Sequence, residues 1–138
     1  NITKHPLYKS ADIVNLHWVS YLLDFKSFFK KNNKPLIWSL SDMNPFTGGC
    51  YYSNGCIKYI SDYCTNCFQL TGTEDENNAH YNLLKKVKSL HKTSQKPLII
   101  TPANWMYKKA KKSLMFKSLE HHIIPHPSDE KVYFLKNK

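Results

Sequence analysis

Residues 34–40 read KPLIWSL, and residues 96–101 repeat the opening as KPLIIT. Each is a short apolar run entered through a lysine–proline pair, and proline is tolerated in a strand only as its opening residue. Residues 11–18, ADIVNLHW, and residues 121–125, HHIIP, have the same look. Such short runs, rich in β-branched residues, match strands buried in a sheet.

Helical patterns fill the gaps. Residues 19–31 place Leu22, Leu23, Phe25, Phe28 and Phe29 on one apolar face, with Lys26, Lys30 and Lys31 on the far side and at the end, before Asn32 and Asn33 stop the helix. Residues 81–91 carry a stripe of Leu83, Leu84, Val87 and Leu90 with lysines opposite. Thr101 and Pro102 predict another helix start, the hydroxyl as N-cap and the proline at the first helical position, running to about Leu114. The alternation predicts an α/β protein: a three-layer Rossmann-like parallel sheet with helices on both faces, wound by right-handed crossovers. A cysteine-rich insertion, residues 46–70, interrupts it after the second strand. Residues 1–128 would form this domain, and residues 129–138 a connector leading elsewhere.

The chain has 138 residues, 41% hydrophobic and 14% aromatic, which suits one domain with a real core. No apolar run approaches the roughly 18–20 residues that cross a bilayer. The chain opens on Asn1 rather than a methionine and so reads as a fragment, in which the lack of a signal-peptide pattern excludes nothing.

A net charge of +10 comes from lysine alone, because arginine is absent. Sequence-specific nucleic-acid readers rely on the guanidinium fork, so no nucleic-acid partner is expected. Lysine gives a diffuse positive field that suits phosphate-bearing substrates or an anionic lipid surface. A general lysine-rich composition would give the same total, but the distribution is more telling. Ten lysines and no acidic residue lie between Asn77 and Leu119, directly after Glu74, Asp75 and Glu76. One face should be basic.

Residues 42–70, DMNPFTGGCYYSNGCIKYISDYCTNCFQL, hold all four cysteines and three of the four glycines. The spacing C-x5-C-x7-C-x2-C brings Cys50, Cys56, Cys64 and Cys67 within reach of one tetrahedral zinc ion. Two disulfides or four free thiols are the competing readings.

In open parallel sheets ligands bind beyond the carboxyl ends of the strands. That rule selects His17-Trp18, Ser41-Asp42 with the glycine turn, Pro102 to Trp105, and His126 onward. Thr47, Gly48 and Gly49 would form a turn whose backbone N–H groups approach a ligand, or a turn that only routes the chain into the cysteines. Asp42 would orient a ligand hydroxyl or cap the following turn. His17 would be a polar contact or a packed core histidine. Trp18 and Trp105 would offer flat faces to a sugar ring or serve packing alone.

These places carry a resemblance. LSDMNPFTGGCYYSNGC at residues 40–56 and CTNCFQL at residues 64–70 are similar to LHDMWPFTGGCHYSGDC and CGNCPQL of bacterial family 4 glycosyltransferases, the retaining two-domain GT-B enzymes of colanic-acid, capsule and O-antigen synthesis. LHW at residues 16–18 and TPANWM at residues 101–106 extend the likeness over most of the chain. The chain departs from the pattern at Ser41, where the family has histidine, and at Pro125-His126-Pro127, where it has PNG. A serine unaided is no base near neutral pH.

The resemblance implies the acceptor-side half of an enzyme moving sugar from a nucleotide-sugar donor to a saccharide acceptor, usually lipid-linked. His17, Asp42, Thr47, Gly48, Gly49 and Trp105 are its candidate acceptor-side residues; no catalytic residue is assigned. The donor nucleotide sugar would be bound mainly by a second domain that the chain does not contain, so the fragment alone is expected to be inactive. The implied location is cytoplasmic, peripheral to the inner face of the cell membrane. The alternatives are a non-catalytic carbohydrate- or partner-binding domain and a basic zinc-containing nucleic-acid module.

Overall fold

A computed structural model of the chain describes residues 2–20, 22–70 and 78–127. Its regular elements are α1 (Pro6–Ser10), β1 (Val14–Leu16), α2 (Phe25–Lys31), β2 (Leu36–Ser39), α3 (Lys58–Ser61), α4 (Ala79–His91), β3 (Leu98–Thr101), α5 (Asn104–Lys112) and β4 (His121–Ile123). The four strands form one sheet in the order β1-β2-β3-β4, every neighbouring pair parallel. The protein is therefore α/β, a parallel sheet flanked by helices in the Rossmann-like manner. The connector expected at residues 129–138 lies outside the described residues.

The register explains the core. Leu16, Trp38 and Ile99 fall side by side across three strands and are buried. Trp38 sits at the centre, its ring 5.7 Å from Phe25, 5.9 Å from Phe29 and 5.3 Å from Phe116. Burying each such ring stabilises the fold by about 1.5–3 kcal/mol. The intervening residues Asn15, Ile37, Ser39, Leu98, Ile100 and His122 point to the other face and are half-buried or exposed. The strand order does not reverse among the described strands, so the ends of β1, β2 and β3 form one continuous carboxyl edge.

Several boundaries differ from the sequence pattern, each for a local reason. The helix expected from Val19 begins only at Phe25, because Asp24 is its N-cap and accepts from the Ser27 N–H at 3.2 Å. Ahead of it, the Leu22 and Leu23 N–H groups both donate to the Val19 carbonyl instead. Thr101 does not cap the following helix; it ends β3, and its hydroxyl donates to the His122 carbonyl at 3.3 Å. That helix starts at Asn104, after Ala103. The short α1 has no apolar periodicity to announce it, yet carries His5 as a side-chain cap and Pro6 at its start.

Helix α4 differs in a way that matters later. Leu84, expected in the apolar stripe, is only half-buried, whereas Lys86, expected on the solvent face, is buried. Residues 83, 86, 87 and 90 share one helical face.

Candidate acceptor-side edge and cysteine segment

The loops after β1, β2 and β3 converge on the carboxyl edge. After β2 the chain turns sharply, because the Asp42 carboxylate accepts the Asn44 N–H at 2.8 Å, and a single 3-10 turn follows at Asn44–Phe46. Asp42 is therefore a capping residue. It also accepts from the Trp18 side chain, and burial raises its pKa above the ordinary carboxylate value against the pull of Asn44, Lys86 and Trp18. Asn44 ties two loops together: its side-chain oxygen accepts from Ser20 Oγ at 2.9 Å, and its Nδ2 donates to the Gly49 carbonyl at 2.7 Å.

The glycine turn is explained mostly by packing. A Cβ on Gly48 would lie 2.3 Å from the Ala79 carbonyl oxygen, so only glycine lets α4 start against this loop. Gly49 adopts φ +143°, a conformation side chains rarely take. Thr47 is fully buried and spends its hydroxyl inside the turn, donating to the Cys50 carbonyl at 2.7 Å and accepting the Gly49 N–H at 3.3 Å. Gly48 and Gly49 nevertheless line a cavity of about 360 Å³, together with Ser20, Asp24, Asn44 and Lys86.

Lys86 is the residue the sequence reading missed. Its ammonium donates to the Asn44 carbonyl at 2.7 Å and the Thr47 carbonyl at 3.1 Å, and lies 5.6 Å from the Phe25 ring centre. Burial pulls its pKa down to about 8, opposed by Cys64, Cys50 and Asp42 nearby. The spacing from Leu83 to Leu90 placed it on the buried face all along. In a helix with so many lysines, that signal is easily lost.

The remaining candidates sit in the open. His17 is exposed, not a core histidine, and Ser41 is exposed as well. Trp18, 53% exposed, stacks on Tyr51 with centroids 6.5 Å apart and planes 16° apart. Trp105, 46% exposed, stacks on Tyr52 at 6.1 Å and 28°. Tyr51 and Tyr52 themselves remain 38% and 54% exposed. Consecutive residues of the cysteine segment thus link the loop after β1 to helix α5 through two stacked pairs.

The four cysteines share one neighbourhood and form no disulfide. Burial pushes the Cys64 thiol up to about 11, against a hydrogen bond from the Gly48 N–H; Cys50, Cys67 and Cys56 push the same way. Cys50 is raised as well, by burial first, with the Thr47 hydroxyl opposing. As bare thiols both stay protonated and unreactive near neutral pH. Among the described residues no three His, Cys, Asp or Glu side chains converge as a ready-made metal group. Nor is any described helix long and apolar enough to cross a membrane.

Comparison with protein-family models, curated proteins and solved structures finds no match for this chain.

Proposed function

We propose that this domain is the acceptor-side half of a sugar-transferring enzyme of the GT-B kind, with the carboxyl edge of its sheet holding a saccharide. The observation that carries the reading is the pair of exposed stacks, Trp18 on Tyr51 and Trp105 on Tyr52. Aromatic residues beside a sheet normally disappear into packing, and exposed ones grouped at a ligand edge mark contact surface. Their flat apolar faces suit the C–H faces of pyranose rings. The motif resemblance supports the same edge, since DMNPFTGGC builds it.

Within this reading Asp42, Thr47, Gly48 and Lys86 are positioning residues that fix the loop, whereas Trp18, Trp105, His17 and Gly49 face the acceptor. The donor nucleotide sugar would be held chiefly by a further domain. We also propose that Cys50, Cys56, Cys64 and Cys67 bind one structural zinc ion. Their spacing and the Gly48 N–H on the Cys64 sulfur favour thiolates once a cation is present, and the ion would have to draw the sulfurs together, since no three converge as a metal group among the described residues.

Tryptophan fluorescence during titration with neutral hexose oligosaccharides tests the acceptor edge. Binding should shift the emission, and Trp18→Ala or Trp105→Ala should each weaken it about tenfold, on the order of one good aromatic contact. An emission unchanged at millimolar saccharide would sink the reading. For the whole enzyme, restoring a histidine with Ser41→His and assaying sugar transfer separates a catalytic from a purely binding domain.

A further inference from the structure

Helices α2 and α4 lie side by side, and the groove of about 710 Å³ between them has lysine on both banks. Lys26 and Lys30 stand on one helix, Lys85, Lys88 and Lys92 on the other or at its end, and all five are exposed. None forms an ion pair among the described residues, and no carboxylate lines the groove. The rest of the lining is apolar or already satisfied. Leu84 is half-buried, the Tyr81 ring is 41% exposed, and the Ser89 hydroxyl is spent on the Lys85 carbonyl at 2.7 Å. A concave apolar lining edged by unpaired charge is how protein interfaces are built, with a polar rim around a desolvated centre.

We propose that this groove takes an acidic amphipathic helix of a partner protein, its apolar face on Leu84 and Tyr81 and its carboxylates against the lysines of both banks. Residues 81, 84, 85, 88 and 92 fall on one stripe, about 16 Å or three helical turns long. A partner helix of that length carries carboxylates at matching intervals, because residues four apart rise by about 6 Å, the step from Lys26 to Lys30 and from Lys88 to Lys92. Shape decides against other anions. A bilayer is flat on this scale and would rest on the ammonium groups without reaching Leu84, whereas a helix about 10 Å across is convex. A nucleic-acid duplex presents phosphates rather than an apolar face, and the lysines lack the guanidinium fork that reads one. A single phosphate cannot span Lys85 and Lys92, about 10 Å apart along the axis. The lysine stems add to the fit, since their methylenes extend the apolar walls while the charged heads stay in water. The groove and its occupant are independent of sugar transfer.

Amide chemical shifts of the 138-residue chain, titrated with a synthetic peptide, test this. The probe is about 14 residues, four helical turns, with leucines on one face and glutamates elsewhere. It should bind saturably below millimolar concentration and move the amides of Lys26, Lys30, Leu84, Lys88 and Lys92. Two control peptides, one with the same leucines scattered off the face and one with glutamine for every glutamate, should each bind about tenfold more weakly. Lys30→Gln, Lys88→Gln and Lys92→Gln together should weaken binding of the probe about tenfold, at roughly twofold per exposed ion pair. The same three positions as arginine should retain it. A control triple, Lys108→Gln, Lys112→Gln and Lys117→Gln, changes the net charge equally away from the groove and should lose under about twofold. All six side chains are exposed, and circular dichroism verifies that the folds match. Equal losses in the two glutamine triples would overturn the proposal, as would equal binding of the scattered peptide. So would unmoved amides at millimolar probe, or displacement of the probe by phosphatidylglycerol vesicles or duplex DNA at matched negative charge.

Discussion

The sheet with its helices and the cysteine segment are built on opposite principles. The body is held by side chains that need no partner but each other: Trp38, Phe28, Phe29, Leu83, Leu90 and Ile99 are all essentially inaccessible. The cysteine segment has one short helix, α3, and four non-glycine residues with φ between +45° and +57°, at Asn54, Tyr63, Cys64 and Asn66. These are the only such residues among those described, and each costs of order 1–2 kcal/mol relative to relaxed backbone. What offsets this strain locally is polar: Lys58 clamps the Thr65 and Asn66 carbonyls at 3.1 and 3.0 Å, and Gln69 donates to Ser53 at 3.0 Å. Apolar anchorage comes from Phe46 and Tyr59, through Phe116, onto Trp38. A body that folds by burial can thus carry a loop that would not fold alone.

The largest effect should come from the body. Trp38→Ala removes the ring where α2, β2 and the turn after α5 meet, and should cost about 3–5 kcal/mol in urea unfolding. Because the cysteine segment hangs on that cluster, it should melt with the body in one transition. A segment that survived Trp38→Ala would reverse the order of dependence.

Metal removal is the next test. Elemental analysis should find one zinc per chain, and a chelator should expose residues 50–67 to hydrogen exchange while the strand amides stay protected. A metal-free chain with a fully protected segment would show that thiols and turns suffice.

The smallest effect belongs to His121, at the start of β4 in the body. Burial lowers its pKa below the ordinary histidine value; the Phe116 carbonyl, 2.9 Å from Nε2, opposes this and Lys111 adds to it. The fold therefore prefers the neutral ring. Its contribution to stability is complete above about pH 6.5 and is lost as pH falls through the lowered folded value, because the unfolded chain takes up the proton first. Melting temperature should drop over that window, and His121→Gln should flatten the slope. An unchanged slope would mean other histidines set it.

Much of the body was legible because its signals are local. Four apolar runs gave four parallel strands, and Asn32 ended α2 where the pattern stopped. Boundaries failed where one side chain outcompeted periodicity. Asp24 delayed α2 by capping it late, and Thr101 stayed in the strand because the His122 carbonyl claimed its hydroxyl. The loop DMNPFTGGC was legible as a turn at the carboxyl edge of the sheet, but that Asp42 caps, Thr47 is sealed inside and Gly48 yields to Ala79 depends on loops that meet only in three dimensions.

By itself, then, the sequence determined the strand and helix succession, the clustering of four cysteines and the excess of lysine, since each follows from residue type and spacing along the chain. Tertiary structure decided which lysine is buried and which five share a groove. It also decided that Trp18 and Trp105, 87 positions apart, reach consecutive tyrosines of one loop. Such neighbours are set by the register of a parallel sheet, which brings distant strand ends to a common edge, and no local pattern encodes that distance.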